Sequence, residues 1–171
     1  MDVLWAPWRM KYIEYAKLER ATECFICRAF NESDNERNLV IYKSDAVIVL
    51  MNNFPYNTGH LLVAPTKHVP DFSLLTDEEL CLLAKAVKAS VEVLKRALSP
   101  DGFNVGVNLG RVAGAGLESH VHLHIVPRWS GDTNFMPIIA DTKVIPEALR
   151  DTYSKLVQHR ELFRGVEKCS I

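Results

Sequence analysis

The chain has 171 residues, 48% of them hydrophobic and 24% charged, with a net charge of −1. That length and composition predict one soluble globular domain spanning 1–171, large enough to bury a core without a disulfide framework. Lys and Arg do not outnumber Asp and Glu, no apolar run is long enough to cross a membrane, and the N-terminus lacks a signal-peptide pattern. The expectation is therefore a cytoplasmic protein with no nucleic-acid or membrane partner.

In chain order, Trp8–Leu18 has the spacing of a short amphipathic helix. The segment 1–37 then carries Cys24-Phe25-Ile26-Cys27, a spacing that suits half a metal site or a redox pair. Asn31–Asn38 (NESDNERN) reads as a surface loop. Leu39–Tyr42, Ala46–Met51 and Gly59–Ala64 are short aliphatic runs bounded by turn residues, and each predicts a strand. Thr76-Asp77-Glu78-Glu79 is a capping box that opens a long helix ending near Leu98, before Ser99-Pro100. Its apolar stripe is Leu80, Leu83, Ala84, Val87, Val91 and Leu94, and Cys81 beside it reads as a small core residue. Phe103–Asn108 and His120–Val126 predict two more strands, joined by the loop Leu109–Ser119. A last helix is expected from Glu147 to about His159 within a C-terminal extension, 131–171. Cys169 there has no evident role. Strands outnumber crossover helices, so the fold class is α+β: an antiparallel sheet of about five strands under one long helix and a C-terminal helix.

The segment His120-Val121-His122-Leu123-His124-Ile125-Val126 carries the chemistry. On an extended chain, His120, His122 and His124 share one face, while Val121, Leu123 and Ile125 face the helix. No packing requirement produces three imidazoles in a row. Along a strand they spread over roughly 13 Å, too far for one tetrahedral ion. The alternative is phosphate chemistry with one imidazole as nucleophile. The preceding Gly110-Arg111-Val112-Ala113-Gly114-Ala115-Gly116 could turn its N–H groups inward as an anion nest.

His120–Val126 resembles the signature of the histidine-triad superfamily, and Asn104–Leu109, the glycine loop and Pro127–Phe135 are similar to its diadenosine tetraphosphate phosphorylase and hydrolase branch. Leu4–Arg9 and Asn52–His68 fit the same branch. The resemblance implies a nucleotidyl transferase or hydrolase in which His122 attacks the α-phosphorus of a dinucleoside polyphosphate, with phosphate or water as acceptor. It implies that the His120 carbonyl fixes the tautomer of His122 and that His124 contacts the phosphate or assists the leaving group. Asn52 would bind the ribose, and Asn108, Gly114, Gly116 and Ser119 would lie around the phosphate. Family members often carry Gln and Ser or Thr where this chain has Gly116 and Leu117. It further implies a structural zinc on Cys24, Cys27, His68 and His120, and a homodimer or higher homo-oligomer. Trp5, Trp8 and Phe54 suit either a nucleobase slot or ordinary packing. His60 reads as structural at a strand start, and His159 as solvated. Competing readings are a phosphoramidate hydrolase of adenosine 5′-monophosphate derivatives, a nucleotide sensor with little turnover, and a zinc-stabilised interaction module.

Overall fold

The computed structural model describes residues 24–134 and 144–169, so the expected helix Trp8–Leu18, together with Trp5, lies outside the described residues. Five antiparallel strands, β1 (Val40–Lys43), β2 (Val47–Met51), β3 (Leu61–Pro65), β4 (Gly102–Val107) and β5 (Leu123–Arg128), form one sheet in the order β1-β2-β3-β5-β4. The helices are α1 (Phe25–Asn31), α2 (Asp77–Leu98) and α3 (Leu149–Val157). The α+β class and five-stranded sheet are as the sequence predicts.

Every residue of β2 (VIVLM) and β3 (LLVAP) is buried. These strands read as unbroken apolar runs because both faces of the sheet are covered. On one face α2 and α3 close the main core over Val47, Val49, Leu61, Val63, Val121 and Ile125. On the other, Ile26 and Ala29 of α1 pack on Ile48, Leu50, Leu62 and Ala64. Helix α1 was not legible as a helix in the sequence. It is the shortest α-helix among the described residues and is held by side chains. The Cys24 sulfur accepts the N–H of Cys27 at its start, and Lys43 donates to the carbonyls of Phe30 and Glu32 at its end.

The capping box at Thr76 and Glu79 forms as predicted. The stripe of α2 is rotated from the expected one: Leu82, Leu83, Ala86, Ala89, Ser90, Val93 and Leu94 are buried, Ala84 is exposed, and Leu80, Val87 and Val91 pack at the flanks. Small residues at positions 86, 89 and 90 bring the helix close to the sheet, and the Ser90 hydroxyl is satisfied by the Ala86 carbonyl at 2.7 Å. Two strand limits move because a neighbouring residue takes a positive φ. Leu39 (φ 55°) precedes β1, and Gly59 (φ 75°) precedes β3. A Cβ at Gly59 would lie 2.5 Å from Leu98 Cδ1, so the turn into β3 requires glycine twice over. The last helix is shorter than expected, and His159 lies beyond its end, half-buried.

Cys81 and Cys169, read separately as a core residue and a residue without a role, form a disulfide across 88 positions. It fastens the C-terminal stretch, with Phe163 and Val166 in the core, to α2. A cross-link of that span stabilises by about 4.6 kcal/mol through the unfolded chain. Reductant should therefore lower the thermal midpoint of the wild type and leave the Cys81→Ser/Cys169→Ser variant unmoved. Thermal denaturation with and without a thiol is the measurement.

Candidate active site

The predicted strand His120–Val126 begins only at Leu123, since pairing with β3 starts there. Ahead of it, His120 lies in a bend and Val121 and His122 lie outside the ladder, anchored by the Val121 N–H on the Val69 carbonyl at 2.7 Å. The alternation holds all the same. Val121 and Ile125 are buried under α2, with Leu123 packed against that core, while His124 lies opposite Leu62 and Gly106 in the sheet, on the α1 face.

Each imidazole has a defined partner. His122 Nδ1 donates to the His120 carbonyl at 2.8 Å, which leaves Nε2 unprotonated. Burial holds His122 below the usual histidine range, with the bond to the carbonyl opposing the shift. The rings of His122 and His124 lie 5.0 Å apart, and the edge of Phe25, the first residue of α1, approaches His122 at 6.5 Å. The site therefore sits on the sheet face that α1 covers.

His120 turns away from this pair. Its Nε2 donates to the Pro65 carbonyl at 2.8 Å, and its Nδ1 faces the sulfurs of Cys24 and Cys27 at 3.2 and 3.5 Å. His68 Nδ1 lies 3.2 Å from the Cys27 sulfur. The ligand atoms of Cys24, Cys27, His68 and His120 all fall within 4.8 Å of one another, so the cluster can hold a metal ion. The donor set fits: two thiols, two imidazoles, and a carbonyl that fixes the His120 tautomer with Nδ1 toward the cluster. Burial also lowers His120, opposed by its bond to Pro65.

The remaining predicted residues lie on two loops, one after β2 and one after β4. Asn52 follows β2; its Oδ1 accepts the Phe54 N–H at 2.9 Å, and its Nδ2 lies 3.4 Å from His60 Nδ1. Asn108 follows β4 and reaches the Gly114 carbonyl at 3.5 Å. Gly110 and Gly114 take positive φ around the short 3-10 turn Arg111–Ala113, and Gly116 and Ser119 are exposed on the stretch leading to His120. Phe54 is exposed on the Asn52 loop.

Sequence reasoning placed His60 outside the site, and the structure places it within. It is fully buried, and its Nε2 meets His124 Nδ1 at 3.0 Å. Tyr56 stacks on His124, with ring centroids 5.8 Å apart, and lies 4.7 Å from His60. The loop carrying Tyr56 and His60 is held by Asn57, whose amide donates to the Pro127 carbonyl and to Asp132. Asp132 in turn is paired with Arg128. The available signal was the period of two: His60 and Leu62 share a face, and Leu62 lies opposite His124.

Burial, with the neighbouring histidines second, lowers His60 to about 3. The unfolded chain binds a proton near the ordinary value of 6.5 that the folded chain refuses, so stability falls as pH drops from about 6.5 toward 3. The slope from this one group is about 1.4 kcal/mol per pH unit within that window. Replacing His60 with Gln, which does not titrate, should flatten that slope in denaturant titrations at pH 7, 6, 5 and 4.

Comparison with known proteins agrees with this geometry. Residues 33–131 match the family model described as HIT domain. An AP-4-A phosphorylase from Mycobacterium tuberculosis is 42% identical over 154 residues, covering 87% of this chain and 79% of that protein. An asymmetrical bis(5′-nucleosyl)-tetraphosphatase from Schizosaccharomyces pombe is 34% identical over 93 residues, covering 54% of this chain and 50% of that one. The crystal structure of a hypothetical histidine triad nucleotide-binding protein from Sulfolobus tokodaii superposes with a TM-score of 0.63 at 30% identity, covering 82% of this chain and 91% of the other. With the family model spanning more than half of the sequence, this chain belongs to the HIT family.

Proposed function

We propose that the protein is a nucleotidyl transferase or hydrolase that cleaves dinucleoside polyphosphates, diadenosine tetraphosphate foremost, at the α-phosphate. The observation that carries this reading is the bond from His122 Nδ1–H to the His120 carbonyl, which leaves Nε2 as a buried, neutral nucleophile. The similarity to the mycobacterial phosphorylase and the yeast tetraphosphatase supports the substrate class.

In the first step His122 Nε2 attacks the α-phosphorus. A P–N bond forms as the P–O bond to the departing nucleoside polyphosphate breaks. In the second step an oxygen of phosphate or water attacks the same phosphorus, and the P–N bond breaks. With phosphate, diadenosine tetraphosphate gives ADP and ATP; with water it gives AMP and ATP. Splitting one displacement into two keeps a good leaving group in each half. His124 contacts the phosphate oxygens, Asn52 the ribose, and Asn108 with the loop of Gly114, Gly116 and Ser119 the phosphate chain. N–H donors on that loop would stabilise charge developing at phosphorus.

The proposal includes zinc on Cys24, Cys27, His68 and His120. When bound there it supplies structure, tying α1 and the Pro65–His68 stretch to the segment that enters β5. It further includes a homodimer or higher homo-oligomer, supported by β4, a sheet edge whose central residues Asn104, Val105 and Gly106 are exposed. A cytoplasmic location completes the reading; among the described residues no helix is long and apolar enough to cross a membrane.

Product analysis on diadenosine tetraphosphate, with and without phosphate, tests the activity and identifies the acceptor. His122→Ala should lower turnover by several orders of magnitude. His124→Ala should cost less, on the order of 10²–10⁴-fold. A quench during turnover should trap an acid-labile nucleotidyl adduct on His122. Full turnover by His122→Ala would sink the mechanism, while retained nucleotide affinity with no turnover by the wild type would favour a sensor. Elemental analysis should find about one zinc per chain, lost in Cys24→Ser/Cys27→Ser.

A further inference from the structure

Arg111 opens the short turn in the connection between β4 and the histidine row. That connection leaves the sheet at Val107, the partner of Leu123, and returns at His120, so it borders the segment that carries His122. The turn is pinned by its own backbone. The Gly114 N–H donates to the Arg111 carbonyl at 2.9 Å and the Ala115 N–H to the Gly110 carbonyl at 3.2 Å. Asn108 Nδ2 reaches the Gly114 carbonyl at 3.5 Å, and Gly110 and Gly114 close the turn with φ of 76° and 92°. Arg111 is thus carried on an ordered backbone within one turn of Asn108.

Its guanidinium is exposed and, among the described residues, makes no ion pair and no side-chain hydrogen bond. The next residue, Val112, is fully exposed, so the side chain at the tip of the turn packs on nothing. Cations nearby in the sheet and its loops are already engaged: Lys67 by the Leu74 carbonyl and Glu79, Arg128 by Asp132 and Asn104. The cavity that meets the connection at Leu109 and Gly110 is lined by two carboxylates, Asp71 and Glu118, which disfavour phosphate there. We propose that Arg111 binds the phosphate that lies beyond the α-phosphate, first as part of the leaving nucleotide and then as the incoming acceptor.

The inference rests on the cleavage reading above for its chemistry. A dinucleoside tetraphosphate carries negative charge on every phosphate. Backbone N–H groups bind those oxygens without offsetting the charge, whereas a guanidinium does both. In-line displacement sets the leaving group opposite His122 Nε2, and it departs as the P–N bond forms. The acceptor then enters from that same side, its oxygen bonding to phosphorus as the P–N bond breaks. One cation therefore serves both half-reactions. Inorganic phosphate resembles the anion just released and water does not, so Arg111 favours phosphate as the acceptor.

Two measurements test the proposal. The first needs no turnover: calorimetric titration with inorganic tripolyphosphate. Arg111→Ala should weaken binding on the order of tenfold and reduce its dependence on ionic strength, with Arg111→Lys in between. Arg96→Ala removes the same charge from an exposed position of α2, on the opposite face of the sheet, and should bind as the wild type does. Equal binding by the wild type and Arg111→Ala would overturn the proposal. The second uses diadenosine tetraphosphate with phosphate, where Arg111→Ala should raise the KM for phosphate on the order of tenfold and shift the product from ADP toward AMP. The p-nitrophenyl ester of AMP has a leaving group without phosphate. Its burst of nitrophenolate in phosphate-free buffer should therefore be the same in the wild type and Arg111→Ala. Equal losses on both substrates would make Arg111 a residue that only shapes its turn. A wild type that turns over neither substrate would count against the cleavage reading instead, and the tripolyphosphate titration would still decide what Arg111 binds.

Discussion

Which nitrogen of each imidazole carries its proton is the constraint on which the site depends, and main-chain groups set it. The Pro65 carbonyl takes the Nε2 proton of His120, and the His120 carbonyl takes the Nδ1 proton of His122. Adjacent histidines of one row thereby present opposite nitrogens: His120 turns Nδ1 to two thiols, and His122 keeps Nε2 as the unprotonated nitrogen. A backbone carbonyl cannot rotate away or titrate, so both choices are fixed by the fold and not by pH. Burial adds to this by disfavouring the charged ring.

The sheet separates scaffold from chemistry. On the face under α2, side chains of β2, β3 and β5 form the continuous core, and the disulfide between Cys81 and Cys169 ties the C-terminal stretch to that same layer. On the opposite face, among the described residues, the cover is α1, a seven-residue helix whose N-cap is Cys24 itself, with Leu117 packed beside it. The Cys24 thiol that caps the helix start belongs, with Cys27, to the cluster with His68 and His120, and Phe25 stands against His122. The Cys/His cluster, helix α1 and the ring of His122 thus meet within a few consecutive residues, so a change in one is felt by the others.

The loop between β2 and β3 plays the matching part at the other end of the row. Its glycine at position 59 admits the close approach of Leu98, which lets the chain turn sharply and place His60 under the sheet. Asn57 ties the loop to Pro127 and Asp132, and Arg128 holds Asp132 in place. The histidine row is consequently braced at both ends by groups remote in sequence. This is why its geometry survives although the first two histidines lie outside the strand ladder.

The sequence by itself determined the elements whose cause is local. Period-two alternation set three histidines on one face and Val121, Leu123 and Ile125 on the other. The capping box started α2 where Thr76 and Glu79 said it would, and the two-residue gap between Cys24 and Cys27 marked one side of a cluster able to hold a metal ion. Only the tertiary structure decided what depends on contacts distant in the chain. The partner of His120 is a carbonyl 55 positions away, the partner of His124 is a histidine 64 positions away, and Cys81 meets Cys169 across 88. Helix α1 was invisible for the same reason: seven residues carry too little periodic signal, and its stability comes from Lys43 and the second face of the sheet. The rotation of the α2 stripe also belongs to packing, because Leu80, Val87 and Val91 are as apolar as the residues that face inward. Local pattern fixes which side chains can point together; proton positions and cross-links follow from what the folded chain brings opposite them.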